Sequence, residues 1–158
     1  MISPSNEFLT AALAYAANGW RVFPVKPGAK TPITKHGFKD ASTDGDRLRA
    51  WWRRWPTANI GLATGRASGI WVLDVDGDRG LTTLAALEAS HEPLPASQRV
   101  RTGSGGLHVY FRYPKPGTEI YNSAGQVGLG IDVRGKGGYV VAPPSIHPNG
   151  SRYVWVTP

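Results

Sequence analysis

The sequence predicts a single α+β domain rich in turns. Its 158 residues suit one ordinary domain with room for a core. The 20 glycines and 13 prolines disfavour a helical bundle, because both residues are poor inside helices. Apolar runs of strand length alternate with a few stripes of helical spacing, and no G-x-y repeat or low-complexity tract interrupts them.

In chain order, Pro4 is placed to open a helix capped by Ser3 or Ser5, with Phe8, Ala11, Ala12 and Tyr15 on one stripe and Gly19 at its end. Residues 20–25 (WRVFPV) read as a strand, followed by a Lys/Pro/Gly-rich loop over 26–38. A second helix begins near Thr43, where Asp46 three residues on resembles a capping box, and Pro56 closes it. Within it Leu48, Trp51, Trp52 and Trp55 recur at helical spacing, which marks packed core rather than a base-stacking platform. Arg47, Arg49, Arg53 and Arg54 lie between them, where they can face nucleic acid.

A strand over 69–76 and a short helix over 78–89 come next, then strands over 109–111, 131–133 and 139–141. Asn149-Gly150 reads as a tight hairpin turn into a last strand over 153–156. Ending on a strand pattern is what a catalytic module excised from a longer protein would show, with residues 1–158 forming its one domain.

There is no cysteine, which excludes disulfide scaffolds, thiolate zinc sites and thiol nucleophiles and fits a reducing compartment. The longest apolar stretch, 8–17, falls far short of the roughly 20 residues of a membrane span. The first basic residue is Arg21, so the start lacks the charged head of a signal peptide, and the expected location is cytoplasmic. The sequon Asn149-Gly150-Ser151 accordingly reads as a turn.

The net charge is +7, unevenly spread. Residues 1–60 carry nine Lys/Arg against four acids, 61–98 two against five, and 99–158 seven against two. Basic flanks around an acidic centre suit an anionic polymer held near a cation site, although a solvated basic surface has the same signature.

The acidic centre holds the sharpest motif, Ile70-Trp71-Val72-Leu73-Asp74-Val75-Asp76-Gly77. Alternate strand residues share a face, so Asp74 and Asp76 project together. Two carboxylates this close repel, and a divalent cation between them relieves the repulsion. Mg²⁺ and Mn²⁺ prefer such oxygen ligands and complete their shells with water and phosphate. The motif alone does not separate this metal platform from a solvated strand end entering an Asp-Gly turn.

In Leu129-Gly130-Ile131-Asp132-Val133-Arg134-Gly135, Asp132 and Arg134 share a face. Taken alone they read as a surface ion pair. Beside the Asp pair, Asp132 would be a third carboxylate of a site that bridges two ions, with Arg134 and Lys136 neutralising a triphosphate. The run 101–110 (RTGSGGLHVY) is a glycine-rich turn entering a strand. Its glycines can bring backbone N–H groups close to a phosphate, with Ser104 and His108 as added donors. A lone strand histidine is usually structural, but the neighbouring glycines and serine point His108 towards phosphate.

Three other motifs fail. Gly28-Ala29-Lys30-Thr31 lacks the glycine before lysine of a Walker loop. Gly125, Gly128 and Gly130 open no predicted helix, so they form no dinucleotide fingerprint. His36, His91, His108 and His147 lack zinc-ligand spacing.

Together these residues resemble the bifunctional primase-polymerase (Prim-Pol) domain of the archaeo-eukaryotic primase superfamily, found in replication proteins of phages and plasmids. The resemblance runs from Ala11 to about Val156. It includes A-x-x-Y-A-x-x-G-W-x-V-F-P over 12–24, K-x-P at Lys30 and Pro32, and N-I-G-L-A-T-G over 59–65. It continues with D-x-D at Asp74 and Asp76, S-G-G-x-H over 104–108, and I-D-V-R-G-x-G-G-Y-V-V-A-P-P over 131–144.

The resemblance implies a recognition-motif-like (RRM-like) core whose mixed β-sheet carries the site, with helices packed behind. It implies a divalent-metal-dependent nucleotidyltransferase, a DNA-directed DNA polymerase and primase, acting on single-stranded DNA template, primer and dNTP or NTP. By that likeness Asp74, Asp76 and Asp132 hold two Mg²⁺ or Mn²⁺ ions, with His108 counted among the catalytic residues. Ser104 and His108 contact the incoming triphosphate, Arg134 and Lys136 occupy phosphate-binding positions of the nucleotide site, and Lys30 contacts nucleotide or template. A helical bundle and helicase often follow such domains, and many relatives need the bundle to initiate primers, so elongation is the expected activity.

Two other classes remain. A non-catalytic single-stranded DNA-binding module would grip its ligand through the basic flanks. Leu73-Asp74-Val75-Asp76-Gly77 also resembles the first motif of haloacid-dehalogenase-type phosphatases, whose first Asp is the nucleophile. That chemistry needs a later acidic pair, and after Glu92 only Glu119 and Asp132 remain.

Overall fold

Strand pairing brings the distant apolar runs together. The computed structural model describes residues 6–156. Its helices are Glu7–Ala17 (α1), Gly45–Arg54 (α2) and Gly77–Ser90 (α3). Its strands are Val22–Val25 (β1), Asn59–Ala63 (β2), Ile70–Val75 (β3), Arg99–Arg101 (β4), Leu107–Arg112 (β5), Ser123–Gly128 (β6), Ile131–Arg134 (β7), Tyr139–Ala142 (β8) and Val154–Val156 (β9). A 3₁₀ turn, Gly37–Asp40, sits in the loop after β1. The α+β class is as expected. Among the described residues no helix is long and apolar enough to cross a membrane.

The strands form a small sheet of order β1-β2-β8 and a larger one of order β6-β7-β3-β5-β4-β9. Among the described residues every ladder is antiparallel, which corrects the expected mixed sheet. The connection through α3 explains why. It carries the chain from β3 to β4, two strand positions away, and β5 fills the gap. β3 therefore has antiparallel neighbours, β5 and β7, on both sides.

The helix ends follow side-chain hydrogen bonding. Asn6 caps α1, its Oδ1 accepting the N–H groups of Phe8 at 2.9 Å and Leu9 at 3.3 Å. The expected opening at Pro4 and caps Ser3 and Ser5 lie outside the described residues. α1 buries Phe8, Ala12 and Tyr15, with Ala11 half-buried at the edge of the stripe. Gly19, at φ +83°, turns the chain out of the helix. α2 is capped by Asp44, which accepts from the Asp46 N–H, rather than by Thr43. The tryptophan stripe is packed core: Leu48 and Trp52 are buried, Trp51 and Trp55 half-buried, and Trp52 donates its indole N–H to the Ala58 carbonyl at 3.0 Å.

β3 separates two cores because its side chains alternate. Ile70 and Val72 point into the larger core, with Val100, Tyr110, Ile60 and Leu62 and the buried faces of α1 and α2. Leu73 and Val75 point the other way, with Val109, Ile131 and Leu84 of α3. Asp74 continues the Ile70–Val72 face, so it stands where that inner face stops being apolar.

The expected hairpin at Asn149-Gly150 is a turn closed by Gly150 N–H to the His147 carbonyl at 2.8 Å and by an isolated Ile146–Arg152 bridge. β9 leaves it to pair with β4. One pair of glycines explains why the 128–130 run is glycine-rich without binding a dinucleotide. A Cβ on Gly80 would stand 2.5 Å from the Gly130 carbonyl oxygen, and Gly130 itself, at φ +77°, lies against the Gly80 backbone. The first turn of α3 thus rests on the β6–β7 turn, and Asp76 N–H donates to the Gly130 carbonyl at 2.7 Å.

Helix propensity favours Gly80→Ala by about 1 kcal/mol. The clash opposes it, at about 1–3 kcal/mol for overpacking against backbone. The substitution is expected to lower the urea midpoint, and a midpoint at or above the parent's would contradict this packing.

Candidate active site

β3 is the central strand of a three-residue row. Its Asp74 pairs in register with His108 of β5 on one side and with Asp132 of β7 on the other. The three side chains leave the same face of the sheet, and Arg134, two residues beyond Asp132, joins them. His108 Nε2 lies 3.4 Å from Asp74 Oδ1. Arg134 Nη2 lies 3.5 Å from Asp74 Oδ2 and 3.3 Å from Asp132 Oδ2. The other Asp132 oxygen accepts the Gly125 N–H at 3.0 Å. The ion pair Asp132–Arg134 is therefore present, but facing a cavity that also holds Asp74.

Asp76 extends the pleat by one more residue. It occupies the N-cap position of α3 with extended φ −93°, ψ 110°, yet its side chain makes no cap hydrogen bond. An Asp at this position ordinarily accepts a helix N–H. Here its exposed carboxylate lines the same cavity as Asp74 and Asp132.

That cavity, about 160 Å³, is also lined by Lys30, Thr102, Ser104, His108, Arg134 and Tyr153. A second cavity of about 220 Å³ shares Lys30, Asp74, His108, Arg134 and Tyr153 and reaches Asn122 and the start of β8. Lys30 comes from the long loop after β1. Asn59 ties that loop down by donating to the Ala29 carbonyl at 3.1 Å, and Tyr139 by donating its hydroxyl to the Lys30 carbonyl at 2.9 Å.

The glycine-rich turn differs from its sequence reading. Gly105 N–H is spent on the Thr102 carbonyl at 3.0 Å, and Gly106 N–H on Thr102 Oγ1 at 3.0 Å. These amides close the turn upon itself and are not available to cradle phosphate. The glycines serve close approach: a Cβ on Gly106 would collide with the Val75 carbonyl, and one on Gly103 with His147. Asn149 fastens the turn by donating to the Gly103 carbonyl at 2.8 Å. What the turn presents to the cavity is the exposed Ser104 side chain, 3.1 Å from the Thr102 hydroxyl.

Lys136 is the one expected site residue that does not line either cavity. Its Nζ sits 5.8 Å from the Tyr121 ring centre, and its N–H donates to the Ile120 carbonyl. Tyr153, Thr102, Tyr139 and Asn122 line the cavities without having been expected. Tyr153 stands at the start of the last apolar run, where alternation alone marks only packing. Its hydroxyl is pushed up to about 12 by burial and then by the Asp74 charge, so it stays protonated at neutral pH. The His108 ring lies 6.1 Å from the Tyr153 ring, and its Nδ1 is buried without a partner.

Burial pushes the Asp74 carboxyl up, but the hydrogen bond and charge of His108, followed by the charge and hydrogen bond of Arg134, outweigh it and hold the group below its ordinary 3.8. Among the described residues, no group of three or more His, Asp or Glu forms a ready metal cage. The donor set still fits a hard divalent cation. Such ions are commonly held by one or two carboxylates, with water and substrate phosphate filling the shell. Asp74 and Asp132 offer that pair, Asp76 offers a carboxylate with no cap duty, and Arg134 already places positive charge between the first two.

A depressed native pKa stabilises the fold above the ordinary value, and that contribution is lost as pH falls through the native one. Between pH 5 and pH 3 the parent protein should therefore lose more stability than Asp74→Asn, read as the shift in urea midpoint. Equal losses would show that Asp74 is not held by His108 and Arg134.

A family model described as "Bifunctional DNA primase/polymerase, N-terminal" (Prim-Pol) matches residues 12–158. No curated protein matches the chain. The match spans nearly the whole sequence, and the chain belongs to this family.

Proposed function

We propose that this member of the primase/polymerase family extends DNA primers by metal-dependent nucleotidyl transfer at the cavity around Asp74. In that reaction a primer 3′-hydroxyl attacks the α-phosphate of a nucleoside triphosphate, a new P–O bond forms, and the bond to pyrophosphate breaks. The observation that carries the reading is the in-register row Asp132–Asp74–His108, which opens onto a cavity also lined by Lys30, Ser104 and Arg134.

Asp74 and Asp132 would hold Mg²⁺ or Mn²⁺ between β3 and β7, with Asp76 as a further oxygen donor in a two-ion site. Bound there, the ions would lower the charge on the phosphates and favour the ionised 3′-hydroxyl. Lys30 and Arg134 add positive charge for the triphosphate, and Ser104 offers a hydroxyl donor. His108 orients Asp74 through Nε2. Tyr153, protonated, walls the site and can donate but not accept a proton at neutral pH.

Strand order β7-β3-β5-β4, with α3 following β3, supports an RRM-like core. Single-stranded template would follow the basic flanks, and phage or plasmid replication is the proposed setting. The phosphatase reading loses its acidic pair, because Glu119 accepts from Tyr113 at 2.6 Å and from Arg66 at 3.0 Å and does not line the cavities.

Asp74→Ala should reduce primer extension with Mg²⁺ or Mn²⁺ by at least about a hundredfold, the scale of losing one preorganised transition-state contact. The variant should keep its fold by circular dichroism. Undiminished extension by the folded variant would remove the assignment. Single-stranded DNA binding without uptake of Mn²⁺ or nucleotide would instead identify a non-catalytic module. Ser104→Ala should raise the nucleotide KM more than it lowers kcat, and the opposite split would move Ser104 away from ground-state binding.

A further inference from the structure

We propose that Arg134 is the resident counter-ion of the Asp74–Asp132 pair and must leave it for a divalent cation to enter, so that cation and nucleotide bind cooperatively. This rests on the proposed nucleotidyl transfer and goes beyond it by assigning an order to the charges in the site.

Asp74 and Asp132 stand directly opposite each other on adjacent antiparallel strands. Carboxylates at that separation repel, and without a metal some other cation must compensate them. Arg134 does so from two residues along β7, with one nitrogen, Nη2, serving both carboxylates at 3.5 and 3.3 Å. These contacts are long, and neither is the bidentate fork that makes arginine–carboxylate pairs strong. The side chain is 36% exposed and borders the cavity that also holds Lys30 and Ser104. It can therefore rotate towards that cavity without disturbing the core.

A divalent cation placed between the two carboxylates would meet the guanidinium at close range, and like charges repel. The cation alone thus competes with Arg134. A triphosphate removes the competition, because its oxygens offer the guanidinium a bidentate partner on the cavity side. Coupling of this kind is reciprocal: nucleotide tightens cation binding by the factor by which cation tightens nucleotide binding.

The test measures Mn²⁺ binding to the whole domain by the electron-spin signal of free Mn²⁺, with and without a non-reactive deoxynucleoside triphosphate, each titration corrected for the Mn²⁺ that the same nucleotide binds without protein. In the parent protein the nucleotide should raise Mn²⁺ affinity at least about tenfold, within the usual range of coupling between sites. In Arg134→Gln and Arg134→Met, Mn²⁺ alone should bind at least about fivefold tighter than to the parent, and the nucleotide-induced gain should shrink to about threefold or less. Both variants should also melt lower than the parent in chelator and recover more on adding Mn²⁺, a readout independent of turnover. Unchanged or weaker binding of Mn²⁺ alone by both uncharged variants would overturn the proposal. If the parent still extends primers in that case, the inference fails and the polymerase reading stands. If no protein takes up Mn²⁺ even with nucleotide, both fail.

Discussion

A slip of one residue between β3 and either neighbour would turn Asp132 or His108 onto the opposite face from Asp74, because strand side chains alternate. The register is therefore the constraint on which the site depends, and apolar packing on both faces of β3 enforces it. Ile70 and Val72 fill the larger core, while Leu73 and Val75 lie under α3. A slip at β7 would turn a carboxylate, and one at β5 an imidazole, away from the cavity and put an apolar side chain in its place. The close contact of Gly80 with Gly130 adds a second lock, since it fits α3 against the β6–β7 turn and holds Asp76 at the rim.

With the register set, electrostatics follow from geometry. Two carboxylates and an imidazole side by side are stable only if charge is balanced, and Arg134 supplies the balance within the chain. The loops that reach the cavity are tied by side chains far away in sequence. Asn59 holds the Lys30 loop and the chain after β8 together, accepting the Ile146 N–H at 2.9 Å while donating to Ala29 and Ile146 carbonyls. Asn149 holds the turn that carries Ser104. The residues around the site thus divide into those that face the cavity and those that fasten what faces it.

The same division separates what is legible in the sequence from what is not. The strands with uninterrupted apolar runs, the helical tryptophan stripe, and the shared face of Asp74 and Asp76 follow from period alone. β2 escaped because all five of its residues are buried, leaving no alternation, and because Gly61 lies at its centre beneath the Phe23 ring. β4 has three residues, and β6 is glycine-rich, largely exposed and bulged between Ala124 and Gly128, so neither has a strand signature. The pairing of β7 beside β3 joins residues nearly sixty positions apart, and no local pattern encodes that. Lys136 looked like a phosphate ligand by proximity to Arg134. The chain turns between them at Gly135, where a Cβ would collide with the Ile120 carbonyl, and this sends Lys136 towards Tyr121.

A crystal grown with Mn²⁺ and a non-reactive deoxynucleoside triphosphate, with anomalous scattering recorded at the manganese edge, addresses the arrangement most directly. The expected map has manganese within coordination distance of both Asp74 and Asp132, and triphosphate oxygens on its open side. Manganese elsewhere, or nucleotide bound away from the β3–β7 row, would contradict the assignment of this cavity as the catalytic centre.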